Sequence, residues 1–301
     1  MNWKDNIGKD WTYSISANGS YNDNKVLSVI SGGTPIYGGG GGATSGQYTT
    51  RTVTGRPIGE FFGLDVLGIF QTPADVTSYT SKTGQVIQPN ARPGDFKYAD
   101  TNGDGIIDGK DRVVLGNPNP KYAYGINTSW TYKAFDLSLD FQGVAGIDLY
   151  NAQQGLRYGN ENYTKDFFDH RWHGPGTSNS YPSADIVGRD NYLPNSWFVQ
   201  SGSYFRVRTM QLGYSLPSPM ISKWKIKRLR VYLNAQNAFT FFKYKGFNPE
   251  VIMAARTSPL STTITSNTTI GVPQGNPTSA GIDTNVYPIS ATYSFGVNLT
   301  L

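Results

Sequence analysis

The stretch DTNGDGIIDGKD, residues 100–111, sets oxygen-bearing side chains at alternating positions. Asp100, Asn102 and Asp104 take positions 1, 3 and 5, and Gly105 takes position 6, where the backbone must turn sharply. The carbonyl of Ile106 stands at position 7, Asp108 at position 9 and Asp111 at position 12. This is the ligand spacing of an EF-hand-type calcium loop. A hard cation gathers about six to eight oxygens at once, and this spacing folds them inward. Position 12 is Asp where Glu is usual, which shortens its bidentate reach, and no helical pattern flanks the loop. A polar turn closed by local Asx hydrogen bonds is the competing reading. Calcium in a structural role is the one cofactor these residues offer.

Other chemistry-bearing residues are few. There is no cysteine, so disulfides, zinc–thiolate sites and cysteine nucleophiles are excluded. The two histidines, His170 and His173, share one polar stretch without a carboxylate cluster of defined spacing, so solvated imidazoles are expected rather than a metal site. The glycine run at 38–42 is no phosphate-binding loop: Gln47 stands where Lys would be needed, and a flexible loop is expected. Arg206 and Arg208 lie on an expected strand, where they either line a lumen and meet anionic substrate groups or pair with carboxylates. No nucleophile–base pair, carboxylate dyad or cofactor fingerprint marks an enzyme. The 26 basic and 21 acidic residues leave a net charge of +5, with no basic block of the kind that binds nucleic acid.

The elements that position these residues are strands. The chain of 301 residues holds 35 Gly and 20 Tyr, and only 16% of it is charged. Alternation is its dominant pattern. In the last fifteen residues Tyr287, Ile289, Ala291, Tyr293, Phe295, Val297, Leu299 and Leu301 share one face, and Pro288, Ser290, Thr292, Ser294, Gly296, Asn298 and Thr300 the other. The same period runs from Trp11 to Tyr21, Tyr122 to Tyr132, Phe135 to Leu149 and Leu229 to Phe241. It is weaker over 47–55, 58–71 and 197–214, where a phase shift places a bulge at Arg208-Thr209. A short helix is allowed at 150–157. Trp11, Tyr21, Trp130, Tyr132 and Tyr287 fall near strand ends, as interfacial aromatics do. Tyr158, Trp172 and Tyr181 lie in loops, either to stack on sugars or to pack within the loops.

These patterns predict about eight strands, several as long as a tilted membrane strand of roughly 9–11 residues. The second face is small and neutral. The connections 22–46, 72–120, 151–196 and 243–286 are long and the others short, which is the layout of an outer-membrane barrel. No apolar leader occurs in residues 1–10, and no apolar run reaches roughly 18 residues. The expected fold class is all-β: an antiparallel transmembrane β-barrel segment of a larger plugged barrel, with long extracellular loops. A secreted, calcium-stabilised β-sandwich serving carbohydrate binding or adhesion is the alternative.

Four stretches carry a more specific resemblance: GDFKYADTNGDGIIDGKDRVVLGNPNPKYAYGIN (94–127), NSWFVQSGSYFRVRTMQLGYSLP (195–217), LRVYLNAQNAFTFFKYKGFNPE (229–250) and the terminal YPISATYSFGVNLTL. With them the chain resembles the C-terminal part of a SusC/RagA-type TonB-dependent outer-membrane transporter. The resemblance implies import of oligosaccharides or peptides across the outer membrane of a Gram-negative, Bacteroidetes-like cell. It implies as partners a SusD-like surface lipoprotein, the remaining barrel and plug, TonB acting through an N-terminal part, and outer-membrane lipid; no nucleic acid is involved. Residues 1–301 then form the C-terminal barrel portion, without signal peptide, plug or earlier strands, and are expected not to transport alone. The last residue is Leu301, where the family usually ends in an aromatic. By resemblance to other outer-membrane barrels, the terminal strand serves as assembly signal. Counting hairpins back from its periplasmic end puts residues 100–111 outside the cell.

Overall fold

Seven antiparallel strands follow one another in a single large sheet. They are β1 (Asn2–Ile7), β2 (Trp11–Tyr21), β3 (Tyr122–Tyr132), β4 (Phe135–Ala145), β5 (Tyr204–Ser215), β6 (Arg228–Phe242) and β7 (Thr292–Thr300). Each pairs with its neighbours in sequence, so the sheet is an up-and-down meander with β1 and β7 at its edges. The structure is a computed structural model that describes residues 1–29, 32–39, 44, 46–154, 162–184, 190–251, 277–284 and 286–301. Strands β2, β3 and β4 each have 11 residues, β5 has 12 and β6 has 15. Eleven residues span about 36 Å along the strand. At a tilt near 45° that crosses an apolar band about 25 Å tall.

The register separates two faces. One row runs Tyr13, Trp130, Leu137, Leu212, Leu233, Phe295, and the adjacent row runs Ser14, Ser129, Ser138, Gln211, Asn234, Ser294. The apolar face is uncovered: Phe135, Leu233 and Phe295 are 50%, 60% and 67% exposed. A sandwich would bury that face beneath a second sheet, so the alternative fold is set aside. Aromatic pairs mark both ends of the same face. At the short-turn end Trp11 stacks on Tyr132 at 4.4 Å, Tyr13 on Trp130 at 5.1 Å, and Phe135 meets Tyr214 at 4.7 Å. At the other end Tyr21 meets Tyr122 at 5.4 Å and Phe205 stacks on Phe141 at 5.6 Å. Amphipathic rings at two levels are the aromatic girdles of a membrane barrel.

All three short connections, 8–10, 133–134 and 216–227, lie at one end of the sheet, and 22–121, 146–203 and 243–291 lie at the other. The buried core sits among these long loops rather than in the wall. One cluster joins Phe61, Tyr150, Ala152, Phe198 and Ile282, and a second joins Leu64, Ile69, Phe96 and Tyr98; Trp197 packs against both.

The strand inventory differs from the sequence reading in particular places. Segments 47–55 and 58–71 do not enter the wall. They supply the short strands Thr50–Thr52, Glu60–Gly63 and Val66–Ile69 of small loop sheets. Glu60–Gly63 is buried on both faces, which a wall between lipid and lumen does not allow. The wall gains β1 instead, turned onto β2 through Gly8 at φ 67°. Losing one hairpin preserves the sidedness of every loop. The 135–149 strand stops at Ala145 and the 197–214 strand begins at Tyr204, because Asp148–Asn151 and Val199–Ser201 pair with each other in the loop layer. The terminal strand is shorter than expected at its start, where Pro288 has no N–H to donate. The bulge is present: Asp140 pairs with Thr209 and Phe141 with Val207, leaving Arg208 over. Of the helix allowed at 150–157, Ala152–Gln154 is a 3₁₀ turn and 155–157 lie outside the described residues, as do Gly40, Gly41 and Gly42 of the glycine run.

If the apolar face meets lipid, Leu233→Arg should destabilise the membrane-inserted state by about 2–4 kcal/mol near the midplane. Gln211→Arg, on the polar row beside it, should cost much less. Urea titration of the protein folded into lipid vesicles reads the difference; equal costs at the two sites would contradict the orientation.

Candidate functional site

The long-loop end gathers nearly all the side chains with chemistry. In the 100–111 turn each acidic group serves the turn itself. Asp100 accepts from the N–H groups of Gly103 (2.7 Å) and Gly105 (2.9 Å), Asn102 from Asp104 (2.9 Å), and Asp104 from Ile106 (3.1 Å). Asp108 caps the 3₁₀ turn Gly109–Asp111 through the N–H of Lys110 at 2.7 Å. Asp111 is wholly buried and accepts from Thr101 (2.9 Å) and Asp108 (2.8 Å). Gly105 adopts φ 84°, as the sharp turn at that position requires. The Ile106 side chain is exposed. The spacing therefore does fold these residues into one loop, closed by Asx hydrogen bonds that leave each carboxylate further lone pairs. Among the described residues no three His, Cys, Asp or Glu side chains converge as a metal site.

The remaining sequence candidates fall apart or find structural partners. His170 Nδ1 faces the Asp166 carboxylate at 3.3 Å, while His173 Nδ1 faces the carbonyl of Arg171 at 3.1 Å, so the imidazoles share no ligand. Trp172 donates to Gln71 at 3.1 Å, and Tyr181 is buried with its ring edge-on to Trp197, so both pack within the loops. Tyr158 lies outside the described residues. Arg206 is paired with Glu250 at 2.8 Å; Arg208 is exposed and has no ion pair among the described residues.

Several polar groups that spacing did not reveal tie the loops together. Glu60, wholly enclosed, meets Arg56 at 2.8 Å and Arg51 at 3.4 Å. Asp283 is wholly buried and accepts from the Tyr244 hydroxyl and Gln153, both at 2.7 Å. Burial, and then the Asp283 carboxylate, push the Tyr244 hydroxyl far up. Asp166 accepts from the Tyr181 hydroxyl at 2.6 Å and from Lys245 at 3.2 Å, and Lys245 also reaches Tyr181. The Tyr181 hydrogen bond, helped by the Lys245 ammonium, holds Asp166 below the usual carboxylate range. The partners of Asp283, and the Asp166–Lys245 pair, lie far apart in sequence, beyond any motif, whereas Glu60 is held locally by Arg51 and Arg56. The lumen side of the wall is polar, with Arg230 crossing from β6 to Asp136 on β4 at 2.9 Å.

Against this geometry the comparisons with known proteins are consistent. No protein-family model matches the chain. It is 28% identical over 300 residues to TonB-dependent receptor P3 of Formosa agariphila, covering 99% of this chain and 28% of that protein. It is 30% identical over 207 residues to TonB-dependent receptor P26 of the same organism, covering 68% of this chain and 20% of that protein. To the TonB-dependent receptor SusC of Bacteroides thetaiotaomicron it is 24% identical over 304 residues, 99% of this chain and 25% of SusC. Among solved structures it shares the fold of the RagAB peptide importer in its open-open state, with TM-score 0.67 at 18% identity, over 100% of this chain and 28% of that one. The chain thus spans about a quarter of the length of the relatives it matches.

The depressed pKa of Asp166 gives the loop layer a pH signature. A carboxyl whose folded pKa is lowered adds stability above its unfolded pKa, roughly 3.9, and loses it as pH falls through the folded value. The link between 146–203 and 243–291 should therefore hold through neutral and mildly acidic pH and release only below the ordinary carboxylate range. Asp166→Asn should abolish that acid dependence. Hydrogen exchange of the Lys165–His170 helix across an acid series checks it.

Proposed function

We propose, from the premise that this chain is akin in sequence and fold to TonB-dependent receptors of the SusC/RagA kind, that it forms part of the wall and the extracellular loop layer of an outer-membrane nutrient importer. Its substrates are oligosaccharides or peptides, its energy comes from TonB acting on another part of the receptor, and a SusD-like lipoprotein covers the loop end. The observation that carries this reading is the uncovered apolar face backed by a neutral polar one, with every long loop at one end. Rows such as Ser14, Ser129, Ser138, Gln211, Asn234 and Ser294 offer hydroxyls and amides that hydrogen-bond to sugars or peptide groups without trapping charge. Oriented in this way, the 100–111 turn lies outside the cell.

Deleting β7 from the receptor in an outer membrane should abolish both insertion and energy-dependent uptake, because the strand then leaves β6 unpaired in lipid. Normal surface levels after the deletion would count against the assembly role.

The 100–111 turn supports calcium as a structural ion of this extracellular layer. The ligand spacing lies within one loop, and Gly105 makes the sharp turn at φ 84°, although the carboxylates would have to turn from their backbone partners to converge on the ion. Titration calorimetry of the receptor should find weak binding, with Kd on the order of 10⁻⁴–10⁻³ M. Asp104→Ala should remove it; equal heats for the two proteins would sink the proposal.

A further inference from the structure

Tyr204 and Arg206 stand on the lumen side of β5. Arg206 is in register with Gln142 of β4 and Thr240 of β6, one residue out of phase with the apolar row Phe141, Val207, Phe239. On the same polar face Gln236 is exposed, as expected for a side chain of an open wall. Tyr204 and Arg206 are instead only 6% and 4% exposed. Segment 243–251, which continues directly from β6, covers them. Arg206 Nη1 reaches Glu250 Oε2 at 2.8 Å, the Tyr204 hydroxyl donates to Glu250 Oε1 at 2.5 Å, and Arg206 Nε donates to Thr240 at 3.0 Å. Gln142 closes the group by donating to the Tyr204 oxygen at 3.3 Å.

The segment is held along its length. Asn248 is buried and accepts from the Glu250 N–H at 2.9 Å, and Pro249 beside it is buried too. Towards β6, Tyr244 is anchored on Asp283, the Lys245 N–H on Gln200 at 3.0 Å, and the Lys245 ammonium on Asp166. Segment 243–251 thus lies against the wall, and the Arg206–Glu250 pair fastens it to β5.

We infer that Arg206 and Glu250 are size-determining residues of the import path. Their pairing pins segment 243–251 across the lumen wall formed by β4, β5 and β6 and narrows the external mouth on that side. The inference rests on the import reading above. Arg206 is the enclosed member of the pair and Glu250 the partly exposed one: neutralising Glu250 leaves the guanidinium covered and unmatched, so the segment must lift to rehydrate it. Lifting widens the mouth, and the pair therefore limits the girth of the polymer admitted without contacting it specifically.

These 301 residues hold no cysteine, so a cysteine placed at Pro249 in a receptor cleared of any other accessible thiol, labelled from outside by a membrane-impermeant thiol reagent, reports the segment directly. Glu250→Gln should speed labelling about tenfold or more and raise the length or branching limit of oligomers taken up. The double variant Arg206→Glu with Glu250→Arg should restore slow labelling and the original limit, which separates loss of the pair from general damage. Unchanged labelling in Glu250→Gln, or fast labelling with an unchanged size limit, would overturn the inference while the import reading stood. Absence of uptake by the unmodified receptor, with the labelling contrast intact, would overturn the import reading and the size role with it.

Discussion

Hydrocarbon offers no water to an unpaired N–H or C=O, so a chain that crosses it in extended form must satisfy its backbone on neighbouring strands. That requirement organises this molecule. From Asn2 to Thr300 the wall strands pair in an unbroken series, each with the one before and after it, and a pairing lost to the bulge at Arg208 is resumed at once by Thr209. Because side chains alternate across such a sheet, one face is given to lipid and the other to the lumen. Because consecutive strands are antiparallel, the connections alternate between the two ends. The open edges, β1 and β7, are where the same requirement calls for further strands.

The wall and the loop layer solve different packing problems. The wall has no interior, so its order comes from rows of cross-strand neighbours and from large side chains laid over glycines. The Tyr232 ring lies over Gly296 and the Arg230 guanidinium over Gly213, positions where a Cβ would collide with them. Arg230 can bridge two strands to Asp136 only because Gly213 leaves that space open. In the loop layer, water is available on the outside and a true core forms around Phe61, Phe96, Tyr98 and Trp197. Strands there are short, and side chains such as Gln88 take the place of a neighbouring strand, donating to the Phe96 carbonyl and accepting from the Tyr98 N–H.

Charge is scarce, and most of what is buried is used to join loop to loop or loop to wall. Glu60 lies between two arginines, Asp283 receives a tyrosine and a glutamine, and Asp166 joins Tyr181 to Lys245. Glu250 links the last long loop to the lumen face of β5. Such groups are costly to bury singly, so the enclosed Asp283 marks a place where distant segments meet, while Glu60 is matched within its own stretch. Through Glu250 the described part of the loop layer is fastened to the wall.

Alternation is a local property, and it was enough to reveal the wall: Trp11–Tyr21, Tyr122–Tyr132, Phe135–Ala145 and Arg228–Phe242 are legible in their own side chains, as is the bulge at Arg208. The sidedness of the loops was legible too, since it needs only the parity of hairpins. The 100–111 turn could be read because its Asp and Asn residues and its glycine lie within one short stretch. Alternation misled at 58–71, where an apolar run is buried on both sides by other loops, and at residues 2–7, where charged side chains hide a strand that pairing with β2 creates. Whether Arg206 met solvent or a carboxylate could not be read from its neighbours, because Glu250 lies on another segment and comes to it only when β6 and the chain beyond fold back across β5. Short-range spacing records which face a residue takes; which distant partner waits on that face depends on how the long loops close, and only the folded chain sets that.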